Sequence, residues 1–173
     1  MSKKFKHSNP LKPETVSIGI DNGTTGAAVA VDVGGSILGK IKMPLSEVGG
    51  STCPDTTTLL EWAGSWEGAH ITLEEAPKHA PSATSLRSQA IGFGMIYDAF
   101  NRHPNFTIDL IHPRTWQTDT LGKVPKGRTK EFALVKANDM CEGEDWLATA
   151  RSKKPHDGIV DAYLIACWRR DLV

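Results

Sequence analysis

Asp21, Glu74, Asp157 and Asp161 are the residues through which this chain could do chemistry. Asp21 closes the β-like run Val16-Ser17-Ile18-Gly19-Ile20, and Glu74 closes His70-Ile71-Thr72-Leu73. Asp157 and Asp161 lie four apart in a segment, 155–170, that reads as a helix. Residues at i and i+4 share one helix face, so both acids can point at one spot. Carboxylates crowded together repel and protonate unless a cation neutralises them. Mg²⁺ is the expected cation, because it takes hard oxygen ligands and keeps positions open for water and phosphate. The chemistry that such a set supports is phosphodiester hydrolysis.

Each acid also has a plainer explanation. Asp21-Asn22-Gly23-Thr24-Thr25-Gly26 could be a simple turn, although its glycines would let backbone and phosphate approach closely. Glu74 and Glu75 could be solvated acids at a strand end. Period-two alternation sends them to opposite faces, so only one enters a site, and Glu74 is assigned to it. Asp157 could serve as an N-cap or first-turn acid, worth about 1 kcal/mol. Asp161 resists that explanation, because it is embedded in Ile159-Val160-Asp161-Ala162-Tyr163-Leu164. An acid there costs stability unless it binds metal or pairs, with Lys153 or Lys154 as the candidate partner. His156 adjoins the acids as a ligand, a general acid/base or a cap. His79 and His112 read as surface or strand-end residues.

The elements that must position these residues follow from pattern. The first 13 residues are polar, basic and broken by Pro10 and Pro13, which predicts a disordered arm ahead of one domain over 14–173. Strands are expected at 16–21, 26–33 and 36–42, with Gly34-Gly35 as a hairpin turn. Residues 44–54 read as loop. A helix over 56–66 carries an apolar stripe of Leu59, Leu60, Ala63 and Trp66. The Glu74 strand, a Pro-bounded loop at 77–81 and a longer helix over 82–102 come next. In that helix Gly92-Phe93-Gly94 would allow close packing. A strand at 106–111, a short helix at 114–121, a Gly/Pro/Lys loop at 122–128 and helices at 129–140 and 155–170 complete the chain.

Composition sets outer bounds. A chain of 173 residues, 39% hydrophobic and 23% charged, can bury a sizeable core as one globular domain. No apolar stretch approaches the roughly 18 residues of a membrane span. Cys53, Cys141 and Cys167 are scattered, which argues against a disulfide framework or a zinc site and fits a reducing cytoplasm. The net charge of zero hides a segregation. Lys3, Lys4, Lys6 and Lys12 form one acid-free cluster, Lys123, Lys126, Arg128 and Lys130 a second, and Arg151, Lys153 and Lys154 a third. Between 14 and 122 twelve acids face six bases. A basic rim around an acidic floor suits a polyanion held by its phosphates, although charge runs are also often just solvated.

With these residues assembled, the chain resembles the RuvC-type Holliday junction resolvases from about Val16 to Trp168, and their divergent bacteriophage and plastid branch most. The resemblance rests on Ile20-Asp21-Asn22-Gly23 with Gly26, Leu73-Glu74-Glu75, His112-Pro113 before Trp116, the basic loop from Gly122 to Lys130, and Asp157 with Asp161-Ala162. The Pro-containing loop and Gly-x-Gly helix within 76–94 belong to the same pattern. Two departures stand out. The last two acids are four apart where the housekeeping enzymes have three, so the third acidic position falls among His156, Asp157 and Gly158, of which Asp157 is assigned. Residues 77–81 also lack the aromatic that the housekeeping enzymes insert into the junction.

The resemblance implies an RNase H-like α/β fold with a mixed five-stranded sheet flanked by helices. It also implies a homodimer acting on branched DNA, above all four-way junctions. Asp21, Glu74, Asp157 and Asp161 would hold two Mg²⁺ ions about 4 Å apart, with Mn²⁺ as a substitute. Lys130 would contact phosphate, supported by Lys123, Lys126 and Arg128. The expected setting is the cytoplasm of a bacterial or phage-infected cell, or an organelle stroma. Two other classes stay open. The Asp21–Gly26 turn equally resembles the first phosphate loop of the sugar-kinase, actin and chaperone ATPases, although no second phosphate loop or adenosine motif is evident. A non-catalytic module that binds branched DNA is the third reading.

Overall fold

Three strands, β1 (Ser17–Asp21), β2 (Ala27–Val31) and β3 (Ile37–Lys42), form an antiparallel meander. The computed structural model describes residues 11, 12, 14–78 and 82–173. Apart from residues 11 and 12, the expected basic arm lies outside them, as does His79. After the meander come a hairpin of β4 (Leu45–Val48) and β5 (Ser51–Pro54), and the helix α1 (Thr56–Ala63). Strand β6 (His70–Glu74), helix α2 (Ala83–Asn101), strand β7 (Thr107–Ile111) and helices α3 (Pro113–Leu121), α4 (Thr129–Met140) and α5 (Asp157–Arg169) follow. The main sheet has the order β3-β2-β1-β6-β7, with β6 and β7 running parallel to β1. This is the expected mixed five-stranded sheet.

Two apolar layers sandwich the sheet. Strand β2 is buried on both faces: Ala27, Val29 and Val31 join the layer of α5, while Ala28 and Ala30 join the opposite layer with Leu59, Ile96 and Phe100. Helix α5 is the central helix of the first layer. Its run from Gly158 to Arg169 is buried except for Asp161, which is partly covered. Full burial of each of its large apolar side chains contributes roughly 1.5–3 kcal/mol.

Two expectations are corrected. Residues 44–54 are not plain loop, because β4 and β5 pair around Gly49-Gly50. Both glycines have positive φ, +58° and +76°, as a two-residue hairpin turn requires. Gly and Ser there supply a turn rather than an absence of structure. The helix expected over 56–66 ends at Ala63 and finishes as a 3₁₀ turn over Gly64–Trp66. Gly92 does allow close packing, since a Cβ there would lie 3.2 Å from Pro54, but Gly94 faces open space.

Helix α5 lies on β1 with no room for a side chain between them. A Cβ on Gly19 would sit 2.1 Å from the carbonyl oxygen of Ala162 and 2.5 Å from the amide nitrogen of Ala166. Backbone atoms cannot swing aside as a flexible side chain can. Gly19→Ala is therefore expected to cost about 3 kcal/mol or more. Urea denaturation checks this, and a midpoint equal to the parent's would contradict the flush contact.

Candidate active site

Alternation along β1 sorts its residues cleanly. Ile18 and Ile20 enter the core on the α1/α2 side, so Ser17, Gly19 and Asp21 face α5. The Ser17 hydroxyl confirms that side by donating to the Ala166 carbonyl at 3.0 Å. In β6, Ile71 and Leu73 take the α1/α2 side, leaving His70, Thr72 and Glu74 toward α5. The parallel register pairs Ile20 with Leu73. One step further, Asp21 and Glu74 stand side by side at the strand ends, on the same face, and their carboxyls hydrogen-bond.

Helix α5 brings the remaining acids. Gly158, Ala162 and Ala166 recur every four residues and form a small-residue stripe against β1 and the turn that follows it. A Cβ on Gly158 would lie 2.8 Å from Gly26 Cα and from the Thr25 carbonyl oxygen. Gly158, three before Asp161, thus has no space for any side chain. Asp157, four before Asp161, is by contrast exposed. His156 is the N-cap of the helix, its Nδ1 accepting from the Ile159 amide at 3.3 Å. Asp157 accordingly sits in the first turn and is not the cap itself. Burial, and then the charge of Lys42, pull the His156 imidazole below its ordinary pKa.

The carboxyls that converge are largely withdrawn from water, and they resist ionising. Burial raises Asp161 to about 7, reinforced by the charges of Asp21 and Asp157. Asp21 and Glu74 are raised together, first by burial; the charge of Asp21 pushes Glu74 further up, and Asp161 adds to it. The cation facing the cluster is Lys130, not Lys153 or Lys154. Helix α4 packs on α5 and carries Lys130 over its first turn, where the ammonium pairs with the Asp157 carboxylate. That hydrogen bond raises the Lys130 pKa, and the charges of Asp161 and Asp21 add to the effect.

The donors are all hard carboxylate oxygens and repel one another, which is the chemistry a divalent cation such as Mg²⁺ suits. Asp21, Glu74 and Asp161 could hold it, with Asp157 available once it leaves Lys130. Among the described residues no three acidic, His or Cys side chains are placed, as they stand, to hold a metal ion together. The arrangement is an open cluster in which protons and Lys130 balance charge.

Two residues that support the cluster carried no assigned role in the sequence. Asn22 Nδ2 donates to the main-chain carbonyl of Glu74 at 2.7 Å. Trp116 Nε1 donates to Glu74 Oε1, also at 2.7 Å. Of the expected phosphate-binding residues, only Lys130 lies at the acids. Lys123 and Lys126 are exposed on the loop between α3 and α4. Arg128 pairs with Glu131 and lies 5.4 Å from the Phe132 ring centre. His112 is the N-cap of α3. Beside the Asp21 turn is a cleft of about 380 Å³, lined by uncharged groups including Gly23, Thr25, Ser85 and Gln89.

No family model matches the chain, and no curated protein matches it in sequence. Among solved structures it is similar to T. thermophilus RuvC in complex with a Holliday junction substrate. That likeness has a TM-score of 0.56 and 14% identity, and covers 88% of this chain and 90% of that one. A second similar structure is Thermus thermophilus RuvC, with a TM-score of 0.48 and 18% identity, covering 88% and 91% of the two chains. At such identities the first likeness establishes the fold, which is RNase H-like.

The raised carboxyls make stability depend on pH. Between the ordinary carboxylate range and these raised values, the folded state binds more protons than the unfolded chain. The contribution of these groups to stability is therefore greatest at low pH and is lost as pH rises through about 7, the value for Asp161. Cation-free protein should melt at progressively lower temperature from about pH 5 to about pH 8, each raised group contributing a loss of about 1.4 kcal/mol per pH unit up to its folded value. Asp161→Asn should flatten that slope. A melting temperature that rises over this range would contradict the burial of the acids.

Proposed function

We propose that the chain is a structure-specific endodeoxyribonuclease that resolves four-way (Holliday) junctions, and acts on related branched DNA, by metal-dependent phosphodiester hydrolysis. The observation that carries this reading is the convergence of Asp21, Glu74 and Asp161 from three separate elements into one cluster that resists ionising. A structural core would not gather acids at its rim, whereas a cation-dependent nuclease needs them there. The fold likeness to a RuvC solved with a Holliday junction substrate supports branched DNA as the substrate class.

In this mechanism Asp21, Glu74, Asp161 and Asp157 would hold two Mg²⁺ ions, for which Mn²⁺ could substitute. Such ions would supply a lowered pKa for the attacking water and charge stabilisation at the leaving 3′ oxygen. Lys130 has a different task. Its ammonium, now on Asp157, is exposed at the lip of the cluster and passes to an incoming phosphate. Lys123, Lys126 and Arg128 extend the same positive edge along the duplex arms. Each phosphate so neutralised adds about 0.9 to the salt slope of binding. These contacts orient the DNA without reading its sequence.

Two strands of a junction must be cut, so the reading includes a homodimer with one site per strand. Helix α2 leaves Ile91 and Tyr97 exposed, with Gly94 opening onto free space, and offers an apolar strip for a second copy. A substrate of branched DNA places the activity where genomes recombine: the cytoplasm of a bacterial or phage-infected cell, or an organelle stroma.

Cleavage of a labelled immobile four-way junction, beside matched duplex, flap and RNA–DNA hybrid, tests the reading. Paired symmetric nicks are expected on the junction with Mg²⁺ and none with EDTA. Asp21→Asn should lower cleavage about 100-fold or more while junction binding persists. Equal cutting of flaps or hybrids would refute junction specificity. No cutting with any divalent cation would refute the nuclease.

A further inference from the structure

Glu74 is the acid with most reason to leave the cluster. Asp21 and Asp161 both repel it, and its side chain has three rotatable bonds through which to reach water. It is nevertheless gripped at both ends. The main chain is tied by Asn22 to its carbonyl and by the next amide, Glu75 N–H, to the Ile111 carbonyl at 2.9 Å. The carboxyl is tied by Trp116 at 2.7 Å.

Trp116 is well suited to that second tie. The side chain is fully buried, in the apolar layer that also holds Ile111, Ala133 and Ile159. It stands one turn into α3, a helix whose start is fixed by the His112 cap and by Pro113. The ring is therefore rigid, and its one polar atom can go nowhere else. An indole N–H donates and never accepts. It is satisfied best by an oxygen that carries no proton, which favours a proton on the other oxygen of Glu74. A phenyl ring in the same place would fill the layer and leave Glu74 loose.

We propose that Trp116 is the positioning residue of this acidic site: its indole N–H pins Oε1 of Glu74 and thereby leaves the second oxygen to be presented to a divalent cation. This rests on the metal-dependent reading above. Trp116 touches neither substrate nor cation. Its effect falls on how well the site is formed before the cation arrives.

The test removes the N–H and keeps the shape. Trp116 is replaced by 3-benzothienylalanine, in which sulfur stands for the N–H, with Trp116→Phe as a second variant. Mn²⁺ binding to DNA-free protein is read by electron paramagnetic resonance, alongside Asp161→Asn. Both Trp116 variants should bind Mn²⁺ about 10- to 100-fold more weakly, the usual effect of losing a group that orients a ligand. In cleavage, the Mg²⁺ concentration for half-maximal rate should rise while kcat at saturating Mg²⁺ changes little. Parental Mn²⁺ affinity in the benzothienyl variant, with affinity lost in Asp161→Asn, would overturn the inference and leave the metal site standing. Parental affinity in Asp161→Asn would overturn the metal site, and this inference with it.

Discussion

The contact on which the site depends is the flush seating of α5 on β1. It exists because Gly19 has no side chain and because α5 offers Gly158, Ala162 and Ala166 along one edge. The strand and the helix come close enough for the Ser17 hydroxyl to reach a helix carbonyl. The same closeness sets Asp161 beside Asp21 one turn further along. A methyl group inserted between them would lift the helix, and with it one of the acids. Register does the rest, since the β1–β6 pairing leaves Asp21 and Glu74 level at the strand ends. The convergence of the acids is a by-product of backbone proximity, which tolerates less error than side-chain packing does.

That geometry costs stability. Three carboxyls are held in a place that disfavours their charge; Lys130 offsets Asp21 and Asp161, and the Trp116 N–H offsets Glu74. A fold selected for stability alone would place apolar residues there. Conflict of this kind between local chemistry and stability is typical of functional sites. On the proposed function Lys130 has two states, one on Asp157 and one on a phosphate, so that DNA arrival and release of Asp157 become coupled. Glu74, tied at main chain and side chain, is the fixed member of the set. Asp157, exposed and in the first helical turn, is the adjustable one.

Much of this was legible in the sequence, for physical reasons. Asp21 and Glu74 each end an apolar run with period-two alternation, which makes a strand-end carboxylate visible without any structure. Asp161 stood out because an acid among Ile159, Val160 and Leu164 demands a partner. Pairing over long sequence separations stayed hidden. Nothing in the sequence joins Trp116 to Glu74, 42 residues away, or Lys130 to Asp157, 27 residues away. Lys153 and Lys154 looked like partners only because they are near in sequence. The β4–β5 hairpin was missed because Gly49-Gly50 and the adjacent serines suggest loop until a second strand is there to pair. The role of Gly158 could not be read either, since a glycine shows its purpose only when its neighbour, here the turn at Gly26, is known.

The central claim is that the acidic cluster exchanges protons for a divalent cation. Calorimetric titration of Mn²⁺ into the DNA-free protein at about pH 7, in buffers of different ionisation heat, measures that exchange directly. Release of about one proton or more per site is predicted, because Glu74 and Asp161 hold protons until a cation displaces them. Binding with no proton release would contradict it, and so would proton uptake: the acids would then be ionised beforehand, and the cluster would not be the buried, charge-starved site described above.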